Sequence, residues 1–328
     1  MNILVTGGAG FIGSHVAELL EKQDHRVFVL DDLSGGFVDN IPLNTTFFRG
    51  SVADENLVQS LFEQFRFDYV FHLAAYAAEG LSHFIRKFNY ENNLIGSVNL
   101  INASVNYETK CFVFTSSIAV YGKNQLPMHE ELTPKPEDPY GVAKLAVERD
   151  LEIAHNMFGL PYIIFRPHNV FGERQNIGDK YRNVIGIFMN QIMKGQPMTI
   201  FGDGRQTRAF SYIQDIVPII AESILYPEAH NQIFNIGAEK EYSVKELALI
   251  VAEAMGVEPN ITYVEKRDEV EHAYASHEKA KRIFGHHDLT DLCEGINRMA
   301  AWVKQKGHKQ SSKFSSLEIT KKLPGVWR

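Results

Sequence analysis

A glycine-rich turn directly after a short apolar strand constrains the fold of this chain more than any other feature. Residues 3–5 (Ile-Leu-Val) are typical of a buried strand, and Gly7-Gly8-Ala9-Gly10-Phe11-Ile12-Gly13 follows them and opens a segment with helical periodicity. Glycines here allow a tight turn and let the main chain approach a pyrophosphate, which the N–H groups of the helix N-terminus can bind. The turn therefore predicts a dinucleotide-binding unit.

An acidic residue at the end of the second predicted strand indicates which dinucleotide is bound. Asp31 follows the apolar residues 27–30 and comes eighteen residues after Gly13. A carboxylate there accepts hydrogen bonds from the adenosine ribose and repels a 2′-phosphate, so the pattern favours NAD over NADP. The alternative interpretation is that Asp31 or Asp32 merely caps a loop.

Apolar strands alternate with helical segments through the first half of the chain. The predicted strands are 3–5, 27–30, 46–48, 69–73, 111–115 and 162–165, and the predicted helices are 11–22, 56–65, 89–106 and 140–158. Continuous apolar strands between helices are typical of a parallel sheet covered on both faces. We therefore predict an α/β fold, a Rossmann-type doubly wound parallel sheet with a smaller mixed α/β C-terminal substrate domain.

The regular alternation ends near the middle of the chain, and this sets the predicted domain division. We expect an NAD-binding Rossmann domain over residues 1–175, with a returning segment near 210–236. Residues 176–328 are expected to form mainly the substrate-binding domain and a C-terminal tail. The polar residues 172–183, which span the predicted boundary between the two domains, are predicted to be exposed. The Lys- and Ser-rich residues 304–328 are predicted either to wrap the surface or to be disordered.

Composition excludes several classes of function. The 328 residues carry a net charge of −7 without a dense basic tract, which argues against nucleic acid as the main partner. Two cysteines are too few for a disulfide scaffold or a zinc site, and His286-His287 has no third ligand at a useful spacing. No apolar run reaches the roughly 18 residues of a membrane span, and the N-terminus lacks a signal-peptide pattern. We expect a soluble cytoplasmic protein without a metal.

Tyr140 and Lys144 are candidates for acid–base chemistry. They are four residues apart at the start of a predicted helix, so they share one face. A free tyrosine has a pKa of about 10, and a nearby ammonium together with the positive ring of oxidised nicotinamide would lower that pKa. Tyr140 could then take a proton from a hydroxyl group while hydride leaves its carbon. The spacing by itself is equally consistent with a solvated helix face.

Three hydroxyl groups follow the fifth predicted strand. Thr115, Ser116 and Ser117 come at its carboxyl end, where ligands bind in doubly wound folds. A hydroxyl there can donate a hydrogen bond to the reacting oxygen or relay its proton. We assign this role to Ser117, because Thr115 and Ser116 are also consistent with an ordinary strand end.

These motifs and several others carry a family resemblance over about residues 1–285. The matching segments are Thr6-Gly7-Gly8-Ala9-Gly10-Phe11-Ile12-Gly13-Ser14, Asp31-Asp32-Leu33-Ser34, His72-Leu73-Ala74-Ala75, Thr115-Ser116-Ser117, Val120-Tyr121-Gly122, Tyr140-Gly141-Val142-Ala143-Lys144, Arg166-Pro167-His168-Asn169-Val170-Phe171-Gly172 and Gly202-Asp203-Gly204-Arg205-Gln206-Thr207-Arg208. Jointly they resemble the extended short-chain dehydrogenase/reductase family, in particular its NAD-dependent nucleotide-sugar epimerases and dehydratases. The resemblance implies a nucleotide-sugar substrate, most simply a UDP-sugar, and a homodimer built on the helices 89–106 and 140–158.

The resemblance also implies a set of site residues. The expected catalytic residues are Ser117, Tyr140 and Lys144. The expected cofactor contacts are Gly7, Gly10, Phe11, Ile12, Gly13, Asp31, Asp32, Ser51, Val52, Leu73, Ala74, Ala75, Tyr140 and Lys144. The expected substrate contacts are Ser117, Tyr140, Asn169, Asn183, Arg208 and Arg267, with Lys266 as an alternative to Arg267.

Two residues next to Ser117 indicate which reaction of the family to expect. In the family's sugar 4,6-dehydratases an Asp-Glu pair stands where this chain has Ile118 and Ala119, so the acid needed to eliminate water is absent. The resemblance therefore implies a 4-epimerase, in which Tyr140 removes the 4-hydroxyl proton and NAD takes hydride from C4 and returns it to the other face. A 4-ketoreductase or another dehydrogenase is the first alternative, and a non-catalytic NAD-sensing protein is the second.

The chain also departs from the family pattern at several positions. Ser51 and Ala209 stand where the family often has Asp, and the segment 76–80 differs from the usual one. Ala273 aligns with a position where side-chain size limits the 2-substituent of the sugar, and a small residue there would admit an N-acetyl group.

Overall fold

The structure is a computed structural model that describes residues 1–179, 181–266, 270–285, 289–307 and 317–327. Strands β1 to β14 are Asn2–Thr6, Arg26–Asp31, Thr46–Arg49, Tyr69–His72, Cys111–Thr115, Tyr162–Pro167, Val170–Phe171, Met198–Phe201, Thr207–Ala209, Ser211–Tyr212, Gln232–Ile236, Glu241–Ser243, Ile261–Val264 and His272–Ala273. Helices α1 to α11 are Phe11–Lys22, Glu55–Phe65, Glu79–Ser82, Arg86–Tyr90, Gly96–Asn106, Pro139–Phe158, Val184–Met193, Ile213–Glu222, Val244–Met255, Glu278–Phe284 and Leu292–Lys306.

Seven parallel strands form the central sheet in the spatial order β11-β6-β5-β4-β1-β2-β3. The chain runs outward from β1 to β3 on one side and from β4 to β6 on the other, so the order reverses between β1 and β4. A crevice at the carboxyl ends of the strands on either side of such a reversal is the expected ligand site of a doubly wound sheet. The predicted fold class is confirmed. The division into two domains at residue 175 stays a prediction.

Alternation of side chains along the buried strands explains why helices cover both faces. In β1, Ile3 and Val5 join one core cluster with Val16 of α1, whereas Leu4 joins the opposite cluster with Phe62 of α2. Successive side chains of a strand point to opposite faces, so an all-apolar strand needs a packed layer on each side. All five residues of β5 are buried for the same reason.

The second half of the chain adds short strands and helices at the carboxyl edge of the sheet. β13 pairs with β8, and β9 lies between β12 and β14 in a three-stranded sheet. Helices α7 and α9 pack on these strands, and their apolar side chains join the same core cluster as α1 and α8. This region is the predicted smaller, mixed α/β part. No helix in the described ranges is both long and apolar enough to span a membrane.

One predicted helix is interrupted. Residues 89–106 were expected to be continuous, but α4 ends at Tyr90 and a π-helical turn, Glu91–Ile95, separates it from α5. The buried amide of Asn93 donates to the carbonyl of Tyr76, and that of Asn89 donates to the carbonyl of Pro139. Apolar periodicity does not register these polar contacts, and π-turns of this kind occur frequently at functional sites.

Two further expectations change. Residues 172–179 and 181–183 are not exposed: Ile177 is buried, and the Asn176 amide donates to the Gly35 carbonyl at 3.2 Å, beside the glycine turn. The expected tail begins as helix, because α11 continues to Lys306. Residues 317–327 then lie against α3 and α4 with Leu323 and Trp327 buried, so this part wraps the surface.

Candidate active site

A cavity of about 780 Å³ opens at the carboxyl edge of the sheet. Of the predicted site residues, those that line it are Gly7, Gly10, Phe11, Ile12, Gly13, Asp31, Asp32, Ser51, Val52, Leu73, Ala74, Ala75, Ser117, Tyr140, Lys144, Asn169, Asn183 and Arg208. The remaining predicted contact, Arg267, lies outside the described residues. Residues that are distant in sequence are therefore brought to one site large enough for two ligands.

The glycine turn is shaped for a pyrophosphate. Gly7 has a φ of +71°, and a Cβ atom at Gly13 would overlap the Gly7 carbonyl oxygen. Gly10 is the N-cap residue of α1 and has no side chain to cap the helix, so the first amides of α1, at the edge of the cavity, have no competing side-chain acceptor from the cap. The residues present fit a dinucleotide.

Asp31 belongs both to the turn and to the cavity. Its carboxylate accepts hydrogen bonds from the main-chain N–H groups of Ala9 at 3.0 Å and Leu33 at 2.8 Å. Burial raises the pKa of Asp31, and these two hydrogen bonds oppose the shift. The alternative that Asp31 caps a loop is thus partly realised, yet the carboxylate still lines the cavity.

His72, at the end of β4, has a structural role. Its two ring nitrogens contact the hydroxyls of Thr6 and Ser97, each at 2.7 Å, and burial lowers its pKa to about 3. A neutral imidazole held between two hydroxyls ties β1 to α5, behind the main chain of residues 73–75 that lines the cavity.

The three hydroxyls after β5 have different partners. Thr115 donates to the His72 carbonyl at 3.2 Å, and Ser116 donates to the Glu148 carboxylate. Ser117 accepts from the Ala119 amide at 3.1 Å and hydrogen-bonds Tyr140. Ser117 is therefore the one of these three hydroxyls for which a hydrogen bond to the Tyr140 phenol is found, and its catalytic role stays a prediction.

Local capping sets the position of Tyr140. The Asp138 carboxylate accepts from the Gly141 amide at 2.9 Å, and Pro139 occupies the first helical position of α6. Tyr140 is consequently held in the first turn, over the carboxyl ends of the strands. Lys144, one turn further on, is 2% exposed and donates to the Thr115 carbonyl at 2.8 Å.

The electrostatics of this pair differ from the expectation drawn from spacing. Burial raises the pKa of Tyr140, and the Glu79 carboxylate acts in the same direction, whereas the hydrogen bond to Ser117 lowers the pKa. Burial also lowers the pKa of Lys144 to about 7, so its ammonium is only weakly retained near neutrality. In the protein without ligands, desolvation outweighs the attraction between ammonium and phenolate.

A buried polar network behind Ser117 was not predicted. The Arg166 guanidinium donates twice to the Glu148 carboxylate, at 2.9 and 2.5 Å, and once to the Tyr121 hydroxyl at 2.7 Å. Tyr121 in turn donates to the Asn235 side chain at 2.8 Å. Glu148 also accepts from Ser116, so α6, β6, β11 and the segment after β5 are tied together. Residue spacing within one segment cannot predict this ion pair, because Glu148 lies on α6 and Arg166 on β6.

The predicted diphosphate contacts lie at the opposite side of the cavity. The Arg208 guanidinium donates to the carbonyls of Thr207 and Val270, and the Asn169 amide donates to the Ala209 carbonyl. Asn183 caps α7, since its carbonyl accepts from the Ile185 amide while its NH₂ donates to the Val170 carbonyl. Both polar groups of the Asn183 side chain thus bind the main chain, so they offer fewer hydrogen bonds to a ligand than the sequence suggested.

Several lining residues were missed. Glu79 and His83 project from the α3 region, and Arg182 stacks over the Tyr76 ring at 4.5 Å. The only signal was the departure of segment 76–80 from the family pattern, which marks a difference without assigning a role. Ile118 and Ala119 line the cavity as apolar groups, and Ala273 and Met128 form a small cluster with Ile118.

The chain is similar to known proteins over most of its length. The model of the NAD-dependent epimerase/dehydratase family matches residues 3–237. A putative UDP-glucose 4-epimerase of Methanocaldococcus jannaschii is 35% identical over 306 residues, which are 92% of this chain and 98% of that protein. The structure of a Thermotoga maritima UDP-glucose 4-epimerase with UDP-glucose is 35% identical, with a TM-score of 0.89 and coverage of 93% of this chain and 99% of that one. A Thermus thermophilus UDP-glucose 4-epimerase in complex with NAD is 31% identical, with a TM-score of 0.87 and coverage of 93% and 99%.

Proposed function

The chain belongs to the NAD-dependent epimerase/dehydratase family, and from this premise we propose that it is a 4-epimerase of UDP-hexoses. Its cofactor is NAD, as the opening glycine turn predicts. One observation carries the proposal. Ser117, Tyr140 and Lys144 share a cavity with the glycine turn, while Ile118 and Ala119 offer no acid for elimination of water.

When bound, NAD supplies a hydride acceptor and a positive charge beside the phenol. Tyr140 then acts as the base that takes the proton of the sugar 4-hydroxyl and later returns it, with Ser117 hydrogen-bonded to the same oxygen. The Nζ of Lys144 lies 5.8 Å from the centroid of the Tyr140 ring, and a phenolate there favours the ammonium form of Lys144, which in turn stabilises the phenolate. Because burial raises the pKa of Tyr140 in the protein without ligands, we expect the phenol to become an effective base only after the cofactor binds.

Arg208 and Asn169 are the proposed diphosphate contacts. A guanidinium fork matches phosphate geometry, and the Arg208 side chain is already held against the cavity by main-chain carbonyls. On the sugar side, the small side chain of Ala273 leaves space beside Met128. We therefore expect UDP-N-acetylhexoses to be accepted as well as UDP-hexoses.

A direct assay tests the reaction. Purified protein is incubated separately with UDP-glucose, UDP-N-acetylglucosamine, UDP-glucuronate and their C4 epimers, and products are separated by chromatography. We expect C4 epimers to form, and Tyr140→Phe to lower kcat by about 10³-fold while bound NAD is retained. Tyr263→Phe, which removes a hydroxyl from a half-exposed ring remote from the cavity, is the matched control. Conversion of none of these substrates would overturn the proposal.

Two other outcomes distinguish the alternatives. Net consumption of added NADH by a 4-keto sugar indicates a 4-ketoreductase, because an epimerase produces no net redox change. Retention of all cellular function by Tyr140→Phe indicates an NAD-sensing protein without catalysis.

We also propose that the protein is a homodimer built on α5 and α6. Ile153 and Met157 of α6 are 62% and 72% exposed, and Ile95 beside α5 is 50% exposed. Apolar side chains so exposed on neighbouring helices favour burial against a second copy. Sedimentation should give a dimer for the native chain and a monomer for Ile153→Glu.

A further inference from the structure

The C-terminal residues 317–327, called the C-terminal strap below, contact the molecule far from the sheet core. Leu323 and Trp327 are each 6% exposed and pack with Ala78, Leu81 and Ile85. This cluster is separate from the two clusters that cover the faces of the sheet. The strap therefore adds a small apolar core of its own under α3 and α4.

Polar contacts hold the first part of the strap in register. The main-chain N–H groups of Glu318 and Ile319 donate to the Phe84 carbonyl at 2.9 and 3.2 Å. The Glu318 carboxylate accepts from the amides of Lys87 and Phe88 at 2.7 and 2.9 Å. These amides lie in the first turn of α4, which has no side-chain cap of its own. A carboxylate there satisfies two main-chain donors and complements the helix dipole.

Trp327 contacts two residues that are adjacent in sequence to lining residues of the cavity. Its ring lies edge-on to Phe84, with centroids 6.1 Å apart, and to Tyr181, with centroids 5.3 Å apart. Phe84 follows His83, which lines the cavity from the α3 side. Tyr181 precedes Arg182, which lines the cavity from the other side. One aromatic side chain thus contacts the neighbours of two lining residues that are 99 positions apart in sequence.

The segment beside Tyr181 also lies against the cofactor region. Asn176 donates to the Gly35 carbonyl, and Arg182 stacks on Tyr76 while its guanidinium pairs with Asp179 at 2.8 Å. Gly35 lines the cavity near the glycine turn. Movement of this segment away from α3 would therefore widen the cavity on both the cofactor and the substrate sides.

We propose that the C-terminal strap fixes the mouth of the cavity and thereby sets the affinity for the nucleotide sugar and the rate of cofactor exchange. Trp327 and Glu318 are positioning residues: Trp327 holds the Tyr181 side against α3, and Glu318 holds α4 in place. The part that concerns the nucleotide sugar rests on the proposed function, whereas the part that concerns NAD does not.

Full-length variants test the strap. Trp327→Ala is expected to raise the KM for UDP-glucose about tenfold with a smaller change in kcat, since it removes the edge-on ring contacts to Phe84 and Tyr181. Glu318→Gln is expected to act in the same direction but less, and Trp327→Phe to restore most of the affinity. Lys321→Ala is the control, because Lys321 is an exposed residue of the same strap. A role confined to stability would lower the melting temperature and leave KM unchanged.

The rate of NAD exchange and the emission of Trp327 test the strap independently of KM. Exchange of bound NAD for labelled NAD should be several times faster in Trp327→Ala and in Glu318→Gln, and unchanged in Lys321→Ala. The chain has two tryptophans, so Trp302→Phe isolates the emission of Trp327, which should move to longer wavelength in Glu318→Gln.

The possible results test the strap proposal and the proposed function separately. If the emission shows that the strap has been released while KM and NAD exchange stay as in the parent protein, the strap proposal is wrong. If the native protein converts none of the UDP-sugars named above, the proposed function fails and NAD exchange alone decides the role of the strap. If Trp327→Ala does not fold, Glu318→Gln carries the KM, NAD-exchange and emission measurements.

Discussion

The two walls of the cavity are built in different ways. The cofactor wall consists of short runs directly after neighbouring strands, residues 7–13, 31–36 and 73–75, and it presents mainly main-chain groups and glycines. The substrate wall collects single side chains from many segments, including Ser117, Arg208 and others, held by polar contacts between distant elements. A contiguous wall can be recognised in a sequence, whereas a composite wall exists only after folding.

The largest expected effect comes from adding one methyl group to the cofactor wall. Gly13→Ala places a methyl group against the Gly7 carbonyl and should abolish retention of NAD in the purified protein. NAD released on denaturation, together with the circular dichroism of the folded chain, measures this. Gly256→Ala is the control, since a Cβ there meets nothing within 4 Å and the variant changes only the local backbone at the end of α9, away from the cavity. If the Gly13 variant kept its full NAD content, NAD binding would not depend on close approach of the main chain to the pyrophosphate.

The second effect breaks the support of the substrate wall. Glu148→Gln leaves the buried Arg166 guanidinium without its carboxylate and should lower the free energy of unfolding by about 3–5 kcal/mol. Glu152→Gln, one turn further along α6, removes an exposed partner of Arg149 and should cost at most about 1 kcal/mol. Denaturant unfolding compares the two variants, and equal losses would contradict the assignment of the buried network as the support.

The third effect concerns Lys144, where the two walls meet. Burial lowers its pKa to about 7 from 10.5 in the unfolded chain, so above pH 7 the unfolded state binds more protons than the folded state. The free energy of unfolding of the NAD-free protein should therefore gain, from this group, about 1 kcal/mol per pH unit as the pH rises above 7. Lys144→Met should remove that gain. Parallel stability curves for the two proteins would show that Lys144 is not desolvated.

The smallest effect sharpens the comparison within the cofactor wall. Asp31→Asn removes a negative charge without changing shape, and it should reduce the preference for NAD over NADP by about tenfold. Asp32→Asn, at the neighbouring and less buried position, should change the preference less. Competition between NAD and NADP for the cofactor-depleted protein measures the preference of both variants. An unchanged preference in Asp31→Asn would show that Asp31 only caps the loop and does not select the cofactor.

The accuracy of the sequence-based predictions follows the same division. The strands of the sheet before residue 170 lie within one or two residues of their predicted bounds, because buried parallel strands are continuous apolar runs. The helix over 89–106 was wrong in its interior, since the π-turn depends on amide contacts to Tyr76 and Pro139. Residues 172–179 and 181–183 were wrongly expected to be exposed, since polar groups among them bind distant parts of the chain, as Asn176 binds the Gly35 carbonyl and Arg174 the Ser14 carbonyl.

By itself, the sequence determined the α/β class, the cofactor and its turn, and the presence of Tyr140, Lys144 and Ser117. Those features are local: a strand, its turn and the first helical residues are consecutive, and their chemistry follows from residue type and spacing. Only the tertiary structure decided how Glu148 meets Arg166, how Trp327 reaches both Phe84 and Tyr181, and how strongly burial shifts the pKa values of Tyr140 and Lys144. Contacts between distant elements and loss of water arise only when the elements pack, so no spacing in the chain encodes them.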